Sequence, residues 1–445
     1  MPDLRRRDLV LAVLAATVYV AARVIAFAGV GPLVEGDSPD YDRIAGISLF
    51  DPHFFGAGKP WALPLLYKLL PSDGLRVAGQ LAISIVAWLV LAGVLARLVR
   101  TRWARGVAVV LVLAFSLTWP VIWWDPVLLA ESLSISLAVL LLAALLAFTA
   151  RPTRGGLGLT VAAALLLAAT HDTNAFLVLL LLIPAGVAVA LRARGLGIAV
   201  VVAALAIFAL SQISFRAGDR WEVPGINVVG IVVLPDRATT EYFRDRGMPV
   251  TPALREYTGM IGAPFVKAVR ERPELASFRG WLDSHGQRTY IGWLATDLPG
   301  ASRDVWDNRG RLFGRDVMAT SAHRPGVVDP EISDDGVRRL LPGFADRALY
   351  ADTRFGHIAW LLIVAALVGL AASRRCARIH WVVPLAVLAA VPFLAFAVWH
   401  GDPLEPERHA LLIGVLPRLS AIVLAVFAAD ALGTRRRIRA GRPGA

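Results

Sequence analysis

About ten long apolar runs divide this chain of 445 residues, and they constrain its fold more than any other feature. Most runs approach the roughly 20 residues that an α-helix needs to cross the hydrocarbon core of a bilayer. We therefore predict an all-α polytopic membrane protein with about ten transmembrane helices. The runs cover approximately residues 9–29, 76–96, 106–123, 127–149, 157–170, 175–190, 196–213, 357–373, 380–399 and 410–432.

The arginines indicate the orientation of these helices. If the N-terminus is cytoplasmic, the segments on the inner side hold nineteen Lys and Arg residues, whereas the short outer loops hold four. This difference follows the positive-inside rule. It predicts that both termini are cytoplasmic, and the plasma membrane is the expected location. The charged start and apolar core of the N-terminus resemble a secretory signal, but we expect an uncleaved first helix because the run is long.

The overall composition excludes several classes of protein. Hydrophobic residues make up 57% of the chain and charged residues 18%, whereas soluble domains are typically about 45–50% apolar and about 25% charged. The net charge of +12 does not indicate nucleic-acid binding, because the arginines cluster at the ends of apolar runs. The single cysteine, Cys376, excludes an internal disulfide and a thiolate metal cluster.

The spacing of the runs predicts three parts. Residues 1–213 form an N-terminal transmembrane module of about seven helices, whose first outer loop covers residues 30–75. Residues 214–356 are richer in Arg, Asp, Pro and Gly and predict one mainly helical extracytoplasmic domain, long enough for a small core of its own. Residues 357–445 contain about three further helices and a basic cytoplasmic tail.

The unusual polar residues gather in the predicted outer turns, whereas the inner turns carry arginines and few acids or histidines. Buried charges in a membrane protein are typical of functional sites, although each can also be a hydrogen-bonded pair that fixes helix packing. Both interpretations stay open for a single residue. The candidate residues are Asp37, Asp40, Tyr41 and Lys59 in the first loop, Glu131 in the fourth run, His171 and Asp172 between runs five and six, and His400, Arg408 and His409 between runs nine and ten.

Other residues in these turns have simpler interpretations. For Asp125, Asp402 and Glu405 we favour a solvated loop. Trp123, Trp124 and Trp399 are typical of an interfacial aromatic belt. Arg418 lies inside the last run, where it either faces the same cavity or pairs with a buried acid.

The first loop resembles that of the GT-C superfamily of polytopic glycosyltransferases, including the bacterial family-39-like enzymes. Those enzymes often show an Asp, a Tyr four residues later and a Lys/His-Pro segment before the second helix. This chain has Asp37, Tyr41 and the segment KPWALPLLY from Lys59, with Ser38 where many members carry a second acid. The resemblance covers the whole chain in architecture and about 40 residues in motif.

The resemblance implies an enzyme that moves a hexose or pentose from a polyprenyl-phosphate carrier to an acceptor hydroxyl on the outer face. A carboxylate would take the acceptor proton, with Asp37 as the first candidate and Asp40 as the second. Arg408 would bind the leaving phosphate, with His409 and Lys59 as further cations. A divalent metal such as Mg²⁺ or Mn²⁺ is an alternative source of positive charge.

The sequence leaves the acceptor open between a glycan, a lipid and a protein. Two other functions also stay open. One is a polysaccharide polymerase or ligase, and the other is a transporter or flippase of lipid-linked sugars. A transporter would favour sites near the bilayer midplane and related halves of the chain, and the sequence indicates neither.

Overall fold

In the computed structural model, the described residues are 6–313, 340–341, 349–350, 360–361, 363–364, 367–368, 379–404 and 406–440. Within these residues the secondary structure is helical and no β-strand occurs. Most of the predicted eighth run, 357–373, lies outside them, as do Cys376, Glu405 and most of residues 314–356.

The bundle helices coincide with nine of the ten predicted apolar runs. Six of the described helices are long and apolar enough to cross a membrane, which fits a multi-pass membrane protein. The bounds of the helices in this part are α1 (Arg6–Ala26), α2 (Ser38–Ala45), α3 (Ala62–Leu69), α4 (Asp73–Leu98), α5 (Arg102–Ser116), α6 (Trp119–Ile122), α7 (Ala130–Ala150), α8 (Arg154–Ala168), α9 (Asp172–Ala190) and α10 (Arg194–Ala217).

The remaining described helices are mostly short until the C-terminal pair. They are α11 (Glu222–Val228), α12 (Arg237–Arg244), α13 (Pro252–Arg255), α14 (Ala263–Glu271), α15 (Ala276–Trp281), α16 (Gln287–Thr296), α17 (Leu298–Asp307), α18 (Arg309–Phe313), α19 (Val382–Gly401), α20 (Pro406–His409) and α21 (Leu411–Ala440). Of these, α19 and α21 belong to the membrane-spanning candidates.

Helices α7 and α21 form the centre of the bundle. Their most apolar windows are 78% and 83% buried, whereas those of α4 and α10 are 33% and 22% buried. The outward faces of α4 and α10 are apolar as well, as expected for surfaces that meet lipid rather than water. The central position of α7 places the residues at its N-terminus, including Glu131, inside the protein.

Small residues allow the closest helix contact in the bundle, between α9 and α10. A Cβ atom added to Gly197 would lie 2.5 Å from the Gly186 carbonyl oxygen and 2.4 Å from the Ala190 nitrogen. Only glycine permits this approach, which is the usual way in which membrane helices pack tightly. The contact fixes α10, whose C-terminal end leads into the segment beside the polar turns.

Residues 226–290 form a second hydrophobic core, separate from that of the bundle. Its buried side chains include Phe243, Phe265, Phe278 and Trp281. Helix α17, which follows this core in the chain, contacts the bundle near the end of α19, where Trp399 Nε1 donates a hydrogen bond to Asp304 Oδ2 at 2.6 Å. The helices after α10 therefore lie at the end of the bundle that carries the polar turns.

Candidate functional site

Four segments that are distant in sequence meet at one end of the bundle. Asp37 and Lys59 belong to the first predicted outer loop, on either side of α2. Glu131 is the second residue of α7, and His171 directly precedes α9. Arg408 lies in α20, directly before His409 and three residues before the start of α21 at Leu411. Each of these residues therefore lies at or next to the end of a helix.

The five side chains form a continuous network of charges. Asp37 Oδ1 lies 2.8 Å from Lys59 Nζ, and Asp37 Oδ2 accepts a hydrogen bond from Arg408 Nη2 at 2.7 Å. The Nε atom of Arg408 lies 2.9 Å from Glu131 Oε1. The same Glu131 oxygen lies 3.6 Å from His171 Nε2. Arg408 thus bridges two carboxylates, and each of them has a second basic neighbour.

The two carboxylates differ in their access to solvent. The Glu131 side chain is 2% exposed, because α7 begins inside the bundle, whereas the Asp37 side chain is 24% exposed. Lys59, the other partner of Asp37, is 28% exposed. The network is therefore anchored on a buried acid and partly open to solvent at Asp37 and Lys59.

The electrostatics of the site favour a charged Asp37 and a neutral His409. Burial by itself raises the pKa of Asp37, but the positive charges of Arg408 and Lys59 outweigh it and hold that pKa well below its usual range. Burial lowers the pKa of His409 well below its usual value, and the charge of Arg408 lowers it further. The rings of His409 and His171 are in edge contact, with centroids 5.6 Å apart.

Three long helices begin at or close to residues of this network. They are α7, α9 and α21, which have 21, 19 and 30 residues. The N-terminus of a helix carries a partial positive charge of roughly half an elementary charge and exposes backbone N–H groups. Together with Lys59 and Arg408, these helix ends make the site suitable for an anionic group.

Tyr41 lies close to the charged residues. Its side chain is buried and makes an edge-to-face contact with Tyr67, with ring centroids 6.4 Å apart. Burial raises the pKa of Tyr41 well above its usual value, and the negative charges of Glu131 and Asp37 raise it further. The phenol is therefore neutral and shapes the wall of the site.

Arg220, which the sequence did not single out, fixes the loop that carries Lys59. Its guanidinium donates hydrogen bonds to Asp172 Oδ1 at 2.7 Å, to the Ala57 carbonyl at 2.9 Å and to the Lys59 carbonyl at 3.3 Å. The loop also lies against Gly218, where an added Cβ would be 2.2 Å from the Ala57 carbonyl oxygen. Asp172 therefore orients Arg220 in this structure. The signal in the sequence was an arginine seven residues after a predicted span on the outer side, where the positive-inside rule does not account for it.

Two of the predicted site residues lie elsewhere. Asp40 is exposed on α2 and pairs with Arg43 at 3.1 Å. His400 Nε2 lies 3.2 Å from the carbonyl oxygen of Ala301, in the contact between α19 and α17. The structure brings the other candidates together. Five of them form the charge network, Tyr41 and His409 lie next to it, and Asp172 contacts Arg220.

The expectation of a solvated Asp125 and of interfacial Trp123 and Trp124 was wrong. All three side chains are almost completely buried. The chain after α6 folds back against the first loop, with a bridge between Leu33 and Val127, and this covers the turn. Asp125 forms a buried ion pair with Arg23 of α1.

Two further interpretations need correction. Within the described residues, Arg418 forms no ion pair with an acid and no contact with the charged site. It donates hydrogen bonds to the carbonyl oxygens of Leu349, Gly414 and Phe313 at 2.5–2.7 Å. Asp402 is half-buried rather than solvated, and burial raises the pKa of its carboxyl group.

The described residues contain no group of three or more His, Cys, Asp or Glu side chains that could hold a metal ion. Glu131 and Asp172, which have the chemistry of metal ligands, are engaged by Arg408 and Arg220. The positive charge of this site is supplied by Lys59 and Arg408.

Neither a protein-family model nor a curated protein matches this chain.

Proposed function

We propose that this protein is a membrane glycosyltransferase that moves a sugar from a polyprenyl-phosphate carrier to an acceptor hydroxyl. The proposal is supported above all by one observation. A partly exposed carboxylate, Asp37, lies beside two cations, Lys59 and Arg408, at 2.8 and 2.7 Å. Transfer of a sugar from a phosphate needs both a base for the acceptor and positive charge for the leaving group.

In the proposed reaction the acceptor oxygen attacks the anomeric carbon of the donor while its proton passes to Asp37. The bond between the anomeric carbon and the phosphate oxygen breaks, and its electron pair leaves with the polyprenyl phosphate. Arg408 and Lys59 stabilise the charge that develops on this phosphate. A single displacement of this kind inverts the anomeric carbon and forms no covalent intermediate with the protein.

Glu131 and His171 have supporting roles in this proposal. Glu131 holds the Nε side of the Arg408 guanidinium, so that the Nη2 side faces the open part of the site. His171 contacts the same Glu131 oxygen and the His409 ring. Preorganised charges of this kind are worth more in a dry site than in water, because they do not reorient during the reaction.

The position of the site favours transfer over transport. Transporters tend to bind substrates near the bilayer midplane on interrupted helices. Here the charged residues lie at or next to helix ends on one side of the bundle. A polymerase or ligase would use the same chemistry with a glycan acceptor, so it is a variant of this proposal. By the positive-inside rule, this end of the bundle faces away from the cytoplasm.

The proposal can be tested with purified protein in proteoliposomes. The donors are undecaprenyl-phosphate-linked hexoses and pentoses with a radiolabelled sugar, and the acceptor is an extract of bacterial envelope glycans and lipids. We expect labelled sugar in the acceptor fraction and release of undecaprenyl phosphate. Asp37→Asn should reduce transfer at least about 100-fold, because it removes the base.

Asp42→Asn is the matched control for this experiment. Asp42 lies on α2 near Asp37, but its side chain is 61% exposed and pairs with Arg76 outside the charge network. We expect transfer by this variant within about twofold of the wild type, since an exposed ion pair contributes little. Full transfer by Asp37→Asn would contradict the assignment of Asp37 as the base.

A further inference from the structure

Both oxygens of Asp37 are engaged by the cations that the proposed donor needs. We propose that Asp37 is an internal counter-ion, which occupies the phosphate position until the anionic phosphate of a lipid donor displaces it from Lys59 and Arg408. This inference rests on the proposed function and deepens it. It makes binding of the donor the event that frees the catalytic carboxylate.

The geometry of Arg408 distinguishes an exchangeable partner from a fixed one. Its Nε atom faces Glu131, which is 2% exposed and belongs to the central helix α7. Its Nη2 atom faces Asp37, which is 24% exposed and belongs to the first loop. A ligand can therefore replace Asp37 without disturbing the buried contact that positions the guanidinium.

The charges of the site support the same exchange. The positive charges of Lys59 and Arg408 match the negative charges of Asp37 and Glu131 in number before a ligand arrives. A phosphodiester carries one negative charge, as Asp37 does, and offers two free oxygens that can take the places of the two carboxylate oxygens. The displaced Asp37 carboxylate stays in the site, so the bound phosphate adds one negative charge, which the three helix N-termini offset in part.

The exchange also resolves a conflict in the mechanism. An acid whose pKa is held low by two cations is a weak base. When these cations turn to the phosphate, their effect on Asp37 falls and its pKa rises, so the carboxylate can accept the proton of the acceptor hydroxyl. Asp37 would then be an effective base only in the complex with the donor.

The test is a binding measurement that does not depend on catalysis. Undecaprenyl monophosphate is titrated into wild type, Asp37→Asn and Asp42→Asn in lipid nanodiscs, with undecaprenol and inorganic phosphate as parallel ligands. We expect Asp37→Asn to bind undecaprenyl monophosphate roughly tenfold more tightly than wild type, because two partly exposed ion pairs no longer compete. Asp42→Asn should bind as wild type does, and undecaprenol should not distinguish the three proteins.

Two further variants test whether the gain in affinity comes from the freed cations. Lys59→Met in the Asp37→Asn background should cancel most of the gain, because it removes one of the freed cations. If Asp37→Asn is not monodisperse, Asp37→Ser removes the same charge with a smaller side chain. Unchanged or weaker binding by the folded Asp37 variant overturns the exchange, and a gain confined to inorganic phosphate overturns the assignment to a lipid headgroup.

These outcomes separate this inference from the proposed function. If Asp37→Asn loses transfer but binds undecaprenyl monophosphate no more tightly, the exchange is wrong and the glycosyltransferase stands. If no sugar is transferred by any variant and yet Asp37→Asn binds more tightly, the transferase is wrong and the exchangeable anion site stands.

Discussion

Two arginine–aspartate pairs in this protein show how differently the same two side chains can be used. The pair between Arg23 and Asp125 is closed, with the two side chains 0% and 2% exposed. The pair between Arg408 and Asp37 is open on the side of the acid. Both join segments that are far apart in sequence, and both lie in a chain that is otherwise strongly apolar.

The closed pair has internal partners on both sides. Arg23 donates hydrogen bonds to the Ser116 carbonyl at 2.8 Å and to Ser84 Oγ at 2.6 Å, in addition to Asp125. Asp125 also accepts a hydrogen bond from Ser132 at 2.6 Å. No part of this pair reaches solvent, so it joins α1, α4, α5 and α7 and has no route for a ligand.

The open pair belongs to a network with more charged side chains than a single ion pair between two helices requires. Asp37 has two cationic partners, and Arg408 has two anionic ones. Only the Glu131 side of this network is buried as deeply as the closed pair. In this bundle a buried charge alone does not identify a candidate site. The exposure of the charged side chains to solvent distinguishes the site from an ion pair that only holds helices together.

The largest effect should come from breaking the closed pair. Asp125→Ala leaves Arg23 buried without its counter-charge, and loss of one partner of a buried ion pair costs about 3–5 kcal/mol. We expect a much lower melting temperature and a lower yield of monodisperse protein in detergent. The double variant Arg23→Met with Asp125→Leu should recover part of this loss, because no charge is left buried. A single variant as stable as wild type would show that the pair is dispensable for the fold.

A smaller effect, confined to activity, is expected at the buried side of the open network. Glu131→Gln keeps the shape of the side chain but removes the charge that holds Arg408 from behind. We expect sugar transfer to fall about tenfold to a hundredfold, since small errors in the position of a catalytic group cost up to that amount. Undecaprenyl monophosphate binding should weaken as well. Unaltered transfer and binding would mean that Arg408 needs no fixed partner.

The smallest effect should be seen at Asp40. Its side chain is 47% exposed and pairs with Arg43, which is 70% exposed. Such pairs contribute at most about 1 kcal/mol. Asp40→Asn should therefore keep transfer within about twofold of the wild type, measured in the same proteoliposomes as Asp37→Asn. A loss as large as that of Asp37→Asn would restore Asp40 as the candidate base.

The apolar pattern of the sequence determined where most of the bundle helices lie. The predicted runs at 76–96 and 175–190 correspond to α4 (Asp73–Leu98) and α9 (Asp172–Ala190). This information is local, because about 20 apolar residues in a row satisfy their own backbone hydrogen bonds only as a helix. The first loop motif also directed attention to Asp37 and Lys59 before any contact was known.

The pairing of charges was decided by the tertiary structure alone. Asp125 and Glu131 lie six residues apart in the sequence. Nevertheless, Asp125 forms an ion pair with Arg23, whereas Glu131 pairs with Arg408. Their partners lie 102 and 277 residues away along the chain, and no periodicity reports which helix ends meet. The sequence by itself determined that this protein is a helical membrane protein with polar turns, because hydrophobicity is a property of each segment. Which turns close into a dry contact and which form an open site depends on how the helices pack, and only the folded structure decides that.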